Sequence, residues 1–208
     1  MNNPHAHFVR CPPQGGAQCP TGGRAGTEMK TAGIHHVAYR CKDAKETVLW
    51  YREMLKMDFV LAIAEDQVPS TKEPDPYMHV FLDAGGGNVL AFFELSTQPP
   101  MGFDPNTPQW VQHIAFKVAD RAELLAYKAH LESRGVDVLG VTDHGIFHSI
   151  YFFDPNGHRV ELACPDADEA AQLARLDAVK WDMLEEWSQT RRAPRHANFL
   201  HAKEFSSP

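Results

Sequence analysis

Two histidines and two glutamates recur at matching places along the chain. His36 and His113 each begin a similar octapeptide, HVAYRCKD and HIAFKVAD. Glu94 and Glu161 each lie in the last apolar stretch of a repeated pattern. Imidazole with carboxylate suits a divalent metal, and two histidines with one carboxylate is the ligand set of non-haem Fe(II) sites that keep open positions. The pattern therefore predicts a metal held by these four residues, although a single strand histidine taken alone is more often a structural residue.

The stretch 142–161, TDHGIFHSIYFFDPNGHRVE, ends at Glu161 and contains further candidate functional residues. Its DPNG segment predicts a type I turn closed by a glycine with positive φ, and hence a hairpin with a three-residue loop. Counting outward from the turn puts Tyr151 directly opposite Glu161 on one face of a sheet. A carboxylate on an interior face is costly unless a metal or a cation meets it. An arginine-paired or solvent-facing glutamate on an ordinary hairpin is the alternative.

Composition limits the class of protein. The chain has 208 residues, is 43% hydrophobic and carries a formal charge of −7, which suits one domain with tails and argues against a nucleic-acid surface. Its longest apolar run, 89–93, is far too short for a membrane span, and the N-terminus has no secretory pattern. The four cysteines show no metal-type spacing, so we expect reduced thiols in a cytoplasmic protein. They are Cys11, Cys19, Cys41 and Cys164.

The elements that must position these residues form a repeat. Each copy reads as βαβββ, and one copy alone cannot bury its sheet face, so two copies are expected to share a central cleft. The first copy predicts strands at 34–40, 59–64, 77–82 and 88–95, with a helix capped by Asp43 that turns Val48, Leu49 and Leu55 inward. The second predicts strands at 112–118, 136–141, 150–154 and 158–163, with a helix from Asp120 to about Ser133.

The ends of the chain lie outside this repeat. Residues 1–30 are rich in glycine and proline and predict a disordered extension, 33–165 form the domain, and 166–208 form a C-terminal helix and tail. In that helix, which runs to about Thr190, apolar residues recur at three- and four-residue spacing. We expect this stripe to pack on the domain or on a second subunit, which makes a homodimer the candidate assembly.

The doubled βαβββ unit with His36, Glu94, His113 and Glu161 in place resembles the vicinal oxygen chelate superfamily. That superfamily includes glyoxalase I, type I extradiol dioxygenases, methylmalonyl-CoA epimerase and fosfomycin or bleomycin resistance proteins. The resemblance implies an α+β fold, in which two βαβββ repeats form a curved mixed sheet around a metal cleft. It also implies a small-molecule substrate and neither a nucleic-acid nor a membrane partner.

The spacing from His144 through Tyr151 to Glu161 is similar to the pattern of extradiol ring-cleaving dioxygenases. By that resemblance His36, His113 and Glu161 would hold Fe(II), Tyr151 would hydrogen-bond a catecholate, and His144 would be a donor near the ring. The chain departs from those enzymes in its first hairpin, which has Gly-Gly-Gly-Asn where they usually carry a second-sphere histidine.

Glu94 favours a different member of the superfamily. In glyoxalase I a glutamate at this strand position is a fourth ligand, and two glutamates with two histidines would hold Zn, Ni or Mn as a Lewis acid for a lyase or isomerase. No basic cluster of the kind that binds glutathione is evident in the sequence. A non-catalytic, antibiotic-binding resistance protein is the third class, and proteins of that group often lack the metal ligands that this chain keeps.

Overall fold

The computed structural model describes residues 30–193 and residue 195. From Ile34 onward the described chain forms one compact unit built from two βαβββ repeats and a final helix. The first repeat consists of β1 (Val37–Cys41), α1 (Ala44–Met54), β2 (Phe59–Gln67), β3 (Pro74–Asp83) and β4 (Val89–Leu95). The second consists of β5 (His113–Lys117), α2 (Arg121–Ser133), β6 (Leu139–Asp143), β7 (Phe147–Phe153) and β8 (Arg159–Pro165), and α3 (Glu169–Thr190) follows.

Each repeat forms one four-stranded mixed sheet. The strand orders are β1-β4-β3-β2 and β5-β8-β7-β6, with the first strand parallel to the last and the other neighbours antiparallel. The parallel pair follows from the helical crossover, since a parallel connection needs a long link between its strands. The α+β class and the two repeats agree with the sequence prediction.

Both repeat helices begin at the predicted caps. The Asp43 side chain accepts from the N–H of Glu46 at 2.7 Å, and Asp120 accepts from the N–H of Glu123 at 2.9 Å. Each aspartate thereby satisfies an N–H that has no partner inside its helix. The predicted inward position of Leu49 is wrong, because that side chain is 52% exposed, whereas Tyr51 is buried in the core.

The helices cover one face of each sheet and leave the other face open. The core combines buried residues of α1 and α2 with strand residues that include Val80, Leu90, Phe92, Ile150 and Val160. Because side chains alternate along a strand, the neighbours of these residues point to the opposite side of the sheet. We call that side the open face.

The β7–β8 turn joins the two repeats. Its hairpin closes with the Gly157 N–H donating to the Asp154 carbonyl at 2.9 Å, and Gly157 has φ of 94°, as the DPNG segment predicts. Asp154 is buried and accepts from the Tyr51 hydroxyl of α1 at 3.2 Å. Asn156 is also buried and accepts from the Lys42 N–H at 2.8 Å. The turn therefore also provides one of the contacts between the repeats.

Several strands extend or shift relative to the prediction. β2 continues to Gln67 and β3 begins at Pro74, so both strands extend into a segment predicted as a loop. They extend because they pair with each other there. β6 starts later than predicted, at Leu139, and β7 starts earlier, at Phe147. The hydrogen bonds between strands determine where each strand begins and ends. Hydrophobic alternation and proline content in the sequence do not reveal this pairing.

The final helix α3 begins after Asp168 and ends at Thr190, as predicted. It has no buried residue. Trp181, Leu184 and Trp187 are exposed, while the stripe that contains Leu176 and Met183 is half-buried. None of the described helices is both long and apolar enough to cross a membrane. The predicted disordered extension falls on residues 1–30, of which 1–29 lie outside the described residues.

Candidate metal centre

Glu161 is the centre of a connected polar group on the open face of the second sheet. It lies in β8, is 3% exposed, and faces Tyr151 of β7 across the ladder, as predicted. Its Oε1 accepts from the Tyr151 hydroxyl at 3.1 Å and from the Ser149 hydroxyl. Within the described chain, no lysine or arginine nitrogen lies within 4.0 Å of this carboxylate. The arginine-paired and solvent-facing alternatives therefore do not describe Glu161.

His113 supplies the second member of the group from the first residue of β5. Its Nδ1 lies 3.0 Å from the Val111 carbonyl, which can only accept, so Nδ1 carries a proton. Its Nε2 lies 3.0 Å from Glu161 Oε2. In a neutral imidazole this Nε2 is a lone-pair acceptor that faces a second acceptor. Two acceptors this close are favourable only with a proton or a cation between them. His113 and Glu161 therefore fit a pair of metal ligands, and the Val111 carbonyl orients the imidazole ring.

Tyr151 and His144 extend the group away from β8. The Tyr151 hydroxyl lies 2.8 Å from His144 Nε2 as well as 3.1 Å from Glu161. Burial, followed by the Glu161 carboxylate, raises the pKa of Tyr151, so the phenol keeps its proton at neutral pH. Because that hydroxyl has one proton, donation to Glu161 requires His144 to donate from Nε2. The structure therefore brings together His113, Glu161, Tyr151 and His144.

His36 lies apart from this group. It directly precedes β1 and lies on the open face of the first sheet, with its ring centroid 6.3 Å from that of His79 and 6.1 Å from that of Phe81. Its Nδ1 lies 2.8 Å from Nδ1 of His35. Among the described residues, no set of three ligand atoms lying within 4.8 Å of one another includes His36.

Glu94 is not the counterpart of Glu161, so the predicted equivalence of the two is wrong. In the second repeat Ile114 pairs with Val160, next to Glu161, and in the first repeat Val37 pairs with Leu90. The residue that matches Glu161 is therefore Ala91. Glu94 lies three positions further along, which turns it to the helix-facing side, since the strand period is two.

The Glu94 carboxylate has a local partner there. Its Oε2 accepts from the N–H of Ala44, the first residue of α1, at 2.7 Å. It also lies near Cys41, whose pKa rises to about 11, mainly through burial and in smaller part through the charges of Glu94 and neighbouring aspartates. A carboxylate at a helix N-terminus satisfies a free N–H and complements the helix dipole.

Two open-face residues were not singled out from the sequence. Ser149 donates to Glu161, and the period-two alternation back from Tyr151 is the signal that places it on the same face. His79 holds the matching position in β3 and stacks on Phe93, with centroids 3.5 Å apart. Its Nε2 is buried and has no hydrogen-bond partner among the described residues. Burial, followed by the charge of His36, lowers the pKa of His79. The sequence offered no comparable signal for His79.

A second group of potential metal-ligand side chains lies near the turn that joins β6 to β7. The ligand atoms of Asp143, His148 and Asp166 all lie within 4.8 Å of one another. His148 is next to Ser149 in β7 and therefore points to the opposite face of the sheet from Glu161. This group is distinct from the one around His113.

The chain is similar in sequence to a curated protein. A protein described as "Putative ring-cleaving dioxygenase MhqA" from Bacillus subtilis (strain 168) is 27% identical over 164 residues. That alignment covers 77% of this chain and 48% of the relative, so the chain spans about half the length of this curated relative.

The chain is also similar to solved structures. A glyoxylase/bleomycin resistance protein/dioxygenase domain from Frankia sp. EAN1pec matches with a TM-score of 0.53 at 18% identity, covering 66% of this chain and 100% of the other. Lactoylglutathione lyase from Agrobacterium tumefaciens matches with a TM-score of 0.46 at 21% identity, covering 64% and 96%.

One family model accounts for both repeats. It is described as the Glyoxalase/Bleomycin resistance protein/Dioxygenase superfamily, and it matches residues 33–162, from just before β1 into β8. That span is more than half of the chain and includes His36, His113, His144, Tyr151 and Glu161. The chain therefore belongs to the Glyoxalase/Bleomycin resistance protein/Dioxygenase superfamily.

Proposed function

We propose that this protein is an Fe(II)-dependent, extradiol-type dioxygenase that acts on an aromatic vicinal diol. The observation that carries the proposal is the hydrogen-bonded chain from Glu161 through Tyr151 to His144, with His113 against the same carboxylate. The similarity to a protein named as a ring-cleaving dioxygenase supports the same reaction type.

The metal would be held by His113 and Glu161, with His36 as the third ligand. Among the described residues, His113 and Glu161 fit because a buried carboxylate without a lysine or arginine neighbour faces an imidazole lone pair. His36 lies apart from them and would have to move toward them to bind the metal. Two histidines with one carboxylate favour Fe(II) over Zn, Ni or Mn. When bound, Fe(II) supplies open positions for a vicinal diol and for O₂.

The protein's own residues would orient the diol and handle its protons. Tyr151 keeps its phenol proton, which it donates to Glu161 in this structure, and it would redirect that hydrogen bond to a diol oxygen that has lost its proton. His144, which contacts that phenol at 2.8 Å, can accept or return a proton near the ring. The net reaction breaks one ring carbon–carbon bond beside the diol and places both atoms of O₂ in the product.

The alternative is a glyoxalase- or epimerase-type lyase or isomerase with a two-histidine, two-glutamate metal site. That chemistry needs Glu94 beside the other ligands, and Glu94 instead contacts the start of α1. A small-molecule or antibiotic-binding resistance protein is the third candidate. It does not require a proton-transfer pair such as Tyr151 and His144.

The test is anaerobic purification with Fe(II), followed by an oxygen-electrode assay over a panel of catechols. We expect one O₂ consumed per diol and the absorbance of a ring-opened product. His130→Ala on α2 is a matched control for His113→Ala, because it removes a histidine that lies outside the group. An Fe(II)-loaded protein that consumes no O₂ with any diol would reject the proposal.

We also propose a cytoplasmic homodimer. Large apolar side chains on α3, including Trp181 and Trp187, are exposed, and that much clustered apolar surface is unfavourable in water. A second copy that covers α3 would remove it. The free, buried thiols of Cys41 and Cys164 agree with a reducing compartment.

A further inference from the structure

A cavity of about 730 Å³ opens beside the metal-binding group. His113 is part of its wall, so the cavity connects to the proposed metal site. The 101–112 linker between the repeats forms much of the remaining wall and brings Phe103 over the β7–β8 turn. Phe103 and Phe153 give the cavity an aromatic surface that suits a planar ring.

Two arginines from the open face line the same cavity. Arg40 of β1 and Arg159 of β8 both contribute to the wall. The Arg40 Nη2 donates to the Pro99 carbonyl at 2.5 Å, and the Arg159 guanidinium carbon lies 4.3 Å from the centroid of the Tyr151 ring. These contacts fix where each guanidinium lies without neutralising its charge.

Neither arginine has an anionic partner in the part of the chain that the structure describes. Within residues 30–193, no carboxylate oxygen lies within 4.0 Å of the Arg40 or Arg159 side chain. The Nε of each is buried and makes no hydrogen bond to any described residue. A buried donor without an acceptor is costly, and a charged donor more so. Because these two Nε atoms are not accessible from the cavity, an anionic ligand there would be bound through the Nη groups, which share the same uncompensated charge.

Among the described residues of the cavity wall, the one carboxylate already accepts hydrogen bonds within its own turn. Asp104 accepts from the N–H of Asn106 at 2.9 Å and from the Thr107 hydroxyl at 2.5 Å, and these bonds, led by that to the Thr107 hydroxyl, lower its pKa. It therefore stabilises its own turn. The cavity wall is locally cationic in a protein whose formal charge is −7.

We infer that Arg40 and Arg159 form a subsite for a carboxylate carried by the aromatic substrate. The planar guanidinium matches carboxylate geometry and stays charged at all working pH values. The inference rests on the proposed function for the diol. It adds that the ring carries an anionic substituent, directed away from His113 into the cavity.

The direct test is calorimetry with benzoate, which has the carboxylate and the ring but no diol. We expect benzoate to bind, benzamide to bind at least 10-fold more weakly, and the Arg40→Gln/Arg159→Gln double variant to lose at least 10-fold in benzoate affinity. Arg121→Gln, which removes an exposed charge at the start of α2, is the matched control and should leave the Kd unchanged. Melting curves check folding, and Arg159→Lys, which keeps the charge, should lose less affinity than Arg159→Gln.

The steady-state test compares 3,4-dihydroxybenzoate with catechol by oxygen uptake. We expect the double variant to change the ratio of the two KM values at least 10-fold, against the carboxylate. Benzoate that binds wild type and the double variant equally, or no better than benzamide, would overturn the subsite. If no diol is oxidised but benzoate binding depends on both arginines, the dioxygenase proposal fails and the anion subsite stands.

Discussion

Tyr151 and Glu161 face each other across β7 and β8, and the phenol donates to the carboxylate at 3.1 Å. That pairing joins a buried carboxylate to a protonated phenol, and the phenol joins both to His144. Variants at His113, Glu94 and His144 therefore distinguish the role of this group from that of the other candidate ligand.

Removing His113 should remove the metal. His113→Ala takes away an inner-sphere imidazole that water replaces only at a large loss of affinity, so we expect metal content to fall from about one per chain to near zero. Metal analysis after dialysis measures it. Asp166→Asn is the control, because it alters the separate group with Asp143 and His148. Undiminished metal in His113→Ala, or loss only in Asp166→Asn, would place the metal elsewhere.

Glu94→Gln should affect stability and leave the metal in place. The substitution removes the negative charge beside the Ala44 N–H at the start of α1, which is worth about 1 kcal/mol. Denaturant unfolding should therefore show a small decrease in the free energy of unfolding, with metal occupancy equal to wild type. Loss of metal and activity together, with unchanged stability, would favour the glyoxalase-type alternative.

His144→Ala should reduce turnover with little change in metal content. A positioned proton donor is worth on the order of 10²-fold or more in rate. Oxygen consumption under saturating diol gives kcat, and metal analysis of the same sample gives occupancy. Tyr151→Phe is the companion variant, since it breaks the contact between His144 and Glu161 while keeping the ring. A fully active His144→Ala would contradict the dioxygenase role assigned to that residue.

Stability should fall above about pH 10. Burial, followed by the nearby Asp154 carboxylate, raises the pKa of Tyr51 well above its ordinary value of 10.0. The unfolded chain releases the Tyr51 proton near that value while the folded protein retains it, so rising pH favours unfolding. Below about pH 10 the contribution is fully present. Melting temperatures from pH 8 to 11 should fall more steeply for wild type than for Tyr51→Phe, and equal slopes would exclude Tyr51 as the cause.

Disrupting the exposed face of α3 should change the assembly. We expect the full chain to sediment as a dimer and Trp181→Ser/Trp187→Ser to sediment as a monomer, because those side chains are exposed in the single chain. Ser188→Ala on the same helix is the control. A wild-type protein that is monomeric at high concentration, or a double variant that remains dimeric, would refute the homodimer.

Local rules determined much of this structure from the sequence alone. The caps at Asp43 and Asp120, the DPNG turn and the pairing of Tyr151 with Glu161 follow from side-chain chemistry and from counting along one hairpin. Such features depend on residues a few positions apart, so the sequence contains all the information that they need.

Tertiary structure decided what the repeat alone could not. The repeated sequence pattern aligned Glu94 with Glu161. The strand register instead matches Ala91 to Glu161, and Glu94 points toward α1. Register depends on pairing between distant strands, and one residue of slip exchanges the faces of a strand. The cavity beside His113, with Arg40 and Arg159 in its wall, likewise forms only when β1, β8 and the 101–112 linker meet. No local pattern brings those segments together, because their contacts are set by how the two repeats pack.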